Sequence, residues 1–198
     1  MHPRTPRQSA RDEAVHAMDD DAGLSAELAA ALAGARRRAV RDGDRQIDTA
    51  HLLHSLLEYD PEVRAAFDGG PRLARLLGYL VQRSIGYGLR WQSSVEDSGA
   101  LPAVTVGEGY SPLAAAAMAN ARVRAAARRA HADFGGGDRA RGVDLLVAIV
   151  DDPGARAVEV LTRAGVDAGE LRARAEAALR CGRDDGVEEY VRGGEAAR

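Results

Sequence analysis

Two histidines head the chemical inventory of this 198-residue chain. His51 and His54 stand three apart in I-D-T-A-H-L-L-H-S-L-L, residues Ile47 to Leu57. On a helix that spacing brings two imidazoles to one face, where they could share a metal ion. The other histidines are His2, His16 and His131, and no H-E-x-x-H occurs. The ordinary reading makes His51 a structural residue at a helix start, so no metal and no cofactor is expected. Cys181 is the single cysteine. It can form no intramolecular disulfide and no Cys-based zinc site, has no neighbouring His to activate it, and suits a reducing compartment. Gly135-Gly136-Gly137-Asp138 follows no strand signal, so it reads as a loop and not as a phosphate cradle. There is no G-x-S-x-G elbow. Asp151-Asp152, Asp184-Asp185 and Glu188-Glu189 are adjacent in sequence and do not share a helix face. No catalytic residue is assigned.

Arg122, Arg124, Arg128, Arg129, Arg139 and Arg141 form a basic run. With no aromatic interleaving and a net charge of −3, it reads as a solvated helix face, and a nucleic-acid partner is disfavoured. All 27 basic residues are Arg, as GC-rich codon usage produces. Without Lys there is no Walker A phosphate loop. No apolar run is long enough for a secretory signal or a membrane span, and a cytoplasmic protein is expected.

The elements that would position these residues are helices. Apolar residues make up 45% of the chain and aromatics 4%, with much Ala, which favours close helix packing around Leu and Val. After a polar tail, residues 1–21, Ser25 caps a helix to Arg41 with Leu28, Ala31, Leu32, Ala35 and Ala39 on one face and Gly43 at its end. Asp48 or Thr49 caps the short helix carrying Leu52, Leu53, Leu56 and Leu57. Asp60-Pro61 starts a third helix with Val63 and Phe67. Pro71 opens a fourth, with Leu73, Leu76, Leu77 and Leu80 inward, running to Leu89 or Trp91. Residues 92–109 read as a linker with an extended piece at Val104–Val106.

The order then repeats. Ser111-Pro112 starts a helix with Leu113, Ala117, Met118, Ala121 and Ala125 inward, broken at Phe134–Gly137. V-D-L-L-V-A-I-V, residues Val143 to Val150, echoes the short helix. Asp152-Pro153 is expected to start the next helix, ended by Gly165, and Asp167 caps the last, with Leu171, Ala175 and Leu179. Residues 181–198 read as a second tail. The chain is read as all-α, with about eight helices in two pseudo-symmetric four-helix repeats (22–91 and 110–180).

This pattern resembles the Clp N-terminal domain, the double four-helix module at the front of Clp unfoldases. Family repeats begin F-T-x-x-A, pass through G-H-N-Y-I-G-T-E-H-L-L-x-G-L-L, and close with V-L-x-x-L-G-x-D-x-x-x-L-R. Leu24-Ser25, Gly43, Ile47, Thr49, His51-Leu52-Leu53 and Leu56-Leu57 follow it in the first repeat. Tyr110-Ser111-Pro112, Leu145-Leu146, Val160-Leu161, Gly165, Asp167 and Leu171-Arg172 follow it in the second. The resemblance implies a binding module without ATPase modules. Its partners would be a peptide, an adaptor or a client protein, met by Leu24, Ser25, Thr49, Ala50, Tyr110, Ser111, Val143 and Asp144, with Tyr110 as aromatic anchor. In relatives that bind phosphorylated arginine, the Glu of G-T-E-H and the Thr of F-T help form the pocket. Here Ala50 and Val143 replace that Glu, and Ser25 and Ser111 stand for the Thr. Usual phosphoarginine recognition is therefore expected to be lost, because carboxylate–guanidinium pairing carries much of it. Alternative readings are a decoy that sequesters a cyclic peptide antibiotic, a regulator that docks on a Clp unfoldase, and a small biosynthetic enzyme using His51 with Asp48 or Tyr59.

Overall fold

The computed structural model describes residues 23–67, 69–84, 96, 109–130 and 139–180. Both tails, the fourth helix beyond Ser84, Val104–Val106, Gly135–Gly137 and Cys181 lie outside them. The described residues form eight helices: α1 (Ala26–Asp42), α2 (Thr49–Tyr59), α3 (Pro61–Ala66), α4 (Gly70–Ser84), α5 (Pro112–Ala130), α6 (Gly142–Val150), α7 (Arg156–Ala164) and α8 (168–180).

Local sequence accounts for most helix ends. Ser25 accepts from the Leu28 amide at 3.1 Å, so α1 begins with a side-chain cap. Gly43 ends it at φ 72°, a left-handed turn that L side chains resist. Asp60 serves twice. Its amide closes α2 on the Leu56 carbonyl, and its carboxylate accepts from the Glu62 and Val63 amides at 2.9 and 3.0 Å to open α3. Asp152-Pro153 does not repeat this. The Asp152 carboxylate accepts from Gly154 N at 2.8 Å, making a local turn, and α7 starts only at Arg156. Pro153-Gly154 turns the chain, so Asp152 stands too early to cap the helix.

The short helices α2 and α6 occupy the centre. Every residue of α6 is buried, as are Thr49–Leu53 and Ser55–Leu57 of α2. The packing is reciprocal about this pair. Helix α2 meets α6, α1 meets α2 as α5 meets α6, and α2 meets α3 as α6 meets α7. Across the halves, α2 touches α5 and α7, while α6 touches α1 and α3. That exchange of equivalent contacts defines the two pseudo-symmetric repeats. Of the apolar row on α4, Leu76 and Leu80 are buried, whereas Leu77 is 38% exposed, so this row faces inward only in part.

Two glycines mark close approaches. A Cβ on Gly34 would lie 2.6 Å from the edge of the Tyr59 ring, which joins α1 to α2. A Cβ on Gly142 would lie 2.0 Å from an oxygen of the buried Asp60 carboxylate and 3.0 Å from Leu56 Cδ2. Gly142→Ala should therefore displace the α3 cap and lose about 2–4 kcal/mol. Gly34→Ala should lose about 1 kcal/mol or less, because a half-buried ring edge can yield and Ala favours helix by about 1 kcal/mol. Urea denaturation of both variants checks this ranking, and the reverse order would contradict the stated packing.

Candidate functional site: two crossed helix-start crevices

The predicted site residues meet crosswise. The chain entering α1 pairs with the chain entering α6 through an isolated bridge, Leu24 with Ala140. Ser25 N donates to Ala140 O and Ala140 N to Gly23 O, both at 2.9 Å. The equivalent bridge joins Ile47, before α2, to Tyr110, before α5. Ile47 N donates to Gly109 O at 2.6 Å and Ser111 N to Ile47 O at 2.8 Å. Leu24 and Ser25 thus stand with Val143 and Asp144, and Tyr110 and Ser111 with Thr49 and Ala50. Each crevice combines the first helix of one repeat with the short helix of the other. All eight residues are buried except Ser25 and Tyr110, which are partly exposed.

In the α2–α5 crevice the polar groups converge on Glu96, a buried residue of the predicted linker. Thr49 N donates to it at 2.9 Å, Ser111 Oγ at 2.7 Å and Arg156 N at 2.7 Å, and Thr49 Oγ1 adds a fourth bond. The hydroxyls are also acceptors. Ser111 Oγ takes the Ala114 amide at 3.2 Å, and Thr49 Oγ1 takes the Ala157 amide at 3.1 Å. One carboxylate therefore reaches the starts of α2, α5 and α7, where unpaired amides and the helix dipoles favour an anion. Helix α7 needs it, because its own cap position is Ala155, which offers no side-chain acceptor.

The α1–α6 crevice solves the same problem differently. Asp60 caps α3 from its own chain, and Gly142, where the other crevice has Thr49, leaves room for its carboxylate. Asp144 is fully buried. It accepts from Arg141 N at 2.9 Å and is gripped by both terminal nitrogens of Arg128, one at 2.7 Å. Arg141 grips Glu62 through Nε at 3.1 Å and a terminal nitrogen. Burial pushes the Glu62 carboxyl up from its ordinary value, with Arg141 pulling the other way. Two members of the basic run, Arg128 and Arg141, thus face inward to acids and do not belong to a solvated face.

The two histidines have separate surroundings. His51 is buried, and its Nδ1 and the Asp48 carboxylate exchange bonds with each other's backbone amides at 3.1 and 2.9 Å. Arg156 Nη1 donates to the other Asp48 oxygen at 2.8 Å. His54 lines a pocket of about 420 Å³ with Arg38, Leu57, Glu58, Arg64, Leu73 and Leu77. Leu57, Leu73 and Leu77 supply the apolar surface, and Arg38, paired with Glu58, and Arg64 supply charge. Sequence reasoning gave no signal for this pocket, which needs α1, α2, α3 and α4 folded together. It also passed over Glu96, one of three acids in the linker with Asp97 and Glu108 and not marked out from them by sequence.

These features define a double four-helix architecture with crossed helix starts. A solved structure with this architecture is the N-terminal domain of the caseinolytic protease associated chaperone ClpD from Arabidopsis thaliana. It is 18% identical, with a TM-score of 0.51, and the similarity covers 80% of this chain and 95% of that one. The fold is that of a Clp N-terminal domain. No family model and no curated protein matches the sequence. Among the described residues, no helix is long and apolar enough to cross a membrane.

Glu96→Ala should leave the Thr49 and Arg156 amides without their acceptor inside the fold, at a loss of about 3 kcal/mol. Urea denaturation reads this, and a change under about 0.5 kcal/mol would place the carboxylate outside the crevice. His54 has a pKa of about 4, below its ordinary 6.5, first through burial and then through the Arg38 guanidinium. The unfolded chain therefore takes up a proton that the folded chain refuses until about pH 4. Stability should fall as pH drops from about 6.5 to about 4, and His54→Gln should flatten that part of the curve. An unchanged slope in the variant would assign the dependence to other groups.

Proposed function

We propose that this chain is a non-enzymatic module that binds peptides or proteins through apolar anchors, with the phosphoarginine chemistry of its look-alikes lost. The observation that carries the reading is that the crevices are already filled by the chain's own charges. Ser111 Oγ and Thr49 N, donors suited to an anionic ligand, are taken by Glu96. Ser25 is a helix cap, and Asp144, the acid nearest the other crevice's start, is taken by Arg128. Ala50 and Val143 put no carboxylate at the two positions where the look-alikes carry Glu.

The pocket at Leu57, Leu73 and Leu77 suits one apolar side chain of a ligand, with Arg38 and Arg64 at hand for its backbone carbonyls or an acid. Exposed Val81 on α4 extends that apolar surface beyond Leu77. Tyr110 remains partly exposed at its crevice mouth, where its hydroxyl receives a 3.5 Å bond from Arg36. It offers a second, aromatic contact. His51 with Asp48, which an enzymatic reading would use, is buried at 1% and 2% exposure, out of reach of a substrate.

The test is fluorescence anisotropy with three labelled probes: a linear peptide rich in Leu and Phe, the same peptide carrying phosphoarginine, and a cyclic apolar peptide. Saturable binding of an apolar probe, weakened at least tenfold by Leu77→Asp, is expected, with no gain from phosphoarginine. Tighter binding of the phosphoarginine peptide, lost in Ser25→Ala/Ser111→Ala, would contradict the reading. A cyclic probe that depends on Tyr110 and ignores Leu77→Asp would move the ligand to the crevice mouth and favour the decoy alternative.

A further inference from the structure

The pocket at Leu57, Leu73 and Leu77 contains an arginine whose binding edge is half used. Arg38 reaches it from α1 with its side chain 13% exposed. Its Nη2 pairs with the Glu58 carboxylate, while its Nε is buried and has no hydrogen-bond partner among the described residues. Nε and Nη2 lie on one edge of a guanidinium, the edge that takes both oxygens of a carboxylate side by side. Arg141 fills that edge on Glu62 through Nε and Nη2 together, whereas Arg38 fills half of it on Glu58. A buried N–H without an acceptor is unfavourable, and a carboxylate that took both nitrogens would satisfy it. Glu58 can give way. Its side chain is 48% exposed, and an ion pair with a half-exposed acid is worth little.

Arg64 enters the pocket from α3. Its Nε and Nη2 donate to the Leu57 and Glu58 carbonyls at 3.1 and 3.0 Å, so the last turn of α2 fixes the guanidinium. Its Nη1 has no bond among the described residues. Burial first, and then Arg38, holds the His54 pKa at about 4, so the imidazole is neutral at pH 7 and adds no charge. Among the described residues that line the pocket, two guanidiniums stand against one acid, beside an apolar surface.

We propose, building on the apolar-anchor function above, that this pocket receives the C-terminal residue of a peptide, with its apolar side chain on Leu57, Leu73 and Leu77 and its free carboxylate on Arg38 and Arg64. Two features select a chain end over an internal segment. The volume, about 420 Å³, is near the lower limit of ligand pockets and suits a single residue. In an extended peptide, successive side chains point to opposite sides, so an acid next to an apolar residue would face away from the arginines. A terminal carboxylate is bonded to the same Cα as the apolar side chain, so the two enter together.

Fluorescence anisotropy of the full chain with three labelled probes tests the assignment: a peptide ending in Leu as the free acid, the same peptide amidated at its C-terminus, and the same peptide lengthened by Gly-Ser after the Leu. The free acid is expected to bind at least tenfold tighter than the other two. Arg64→Gln, at an exposed position, should bring the free acid down to the affinity of the amide and leave the amide unchanged. Glu58→Gln should tighten the free acid severalfold and leave the amide unchanged, a gain that damage to the fold does not produce. Equal affinity for free acid and amide, with both weakened by Leu77→Asp, would overturn the C-terminal assignment and leave the apolar anchor standing. A free-acid preference that survives Arg64→Gln and Leu77→Asp would overturn it by placing the carboxylate elsewhere. No saturable binding of any probe would overturn both.

Discussion

The structure depends on one buried carboxylate. Glu96 accepts from amides at the starts of α2 and α7 and from the hydroxyls of Thr49 and Ser111, so three helix N-termini from both repeats end on a single residue. Four donors are enough to repay the desolvation of one carboxylate, which would otherwise be prohibitive in a core. The network has directional order as well. Each hydroxyl that donates to Glu96 accepts an amide from the first turn of α5 or α7, so losing the carboxylate would unsettle those caps too.

The two crevices are equivalent in backbone and different in chemistry. Parallel bridges at Leu24–Ala140 and Ile47–Tyr110 hold the helix starts in the same crossed arrangement. One crevice then uses Asp60 in a space left by Gly142, and the other uses Glu96 beside Thr49. Side-chain content is exchanged while the packing of α2 on α6 is kept. That separation keeps a fold shared with a plant chaperone domain at 18% identity while the polar content of the two crevices differs between the repeats.

What could be read from the chain divides along the same line. Ser25, Ser111, Asp60-Pro61, Gly43 and Gly165 signal helix ends through bonds to residues within a few positions, and the structure places them so. Asp152-Pro153 carries the same letters as Asp60-Pro61 yet forms a turn, because Gly154 follows and Glu96 supplies the cap at a distance. The crossing of the repeats was beyond reach, since periodicity shows which face is apolar and not which helix will cover it.

Amide hydrogen exchange under native conditions reads the central claim most directly. First-turn amides ordinarily exchange quickly because no helical carbonyl serves them. Here the amides of Thr49 and Arg156, 2.9 and 2.7 Å from Glu96, should exchange as slowly as those in the middle of α6, and both should become fast in Glu96→Ala while the α6 amides keep most of their protection. Fast exchange at Thr49 and Arg156 in the wild-type chain would show that the carboxylate does not hold the two repeats together.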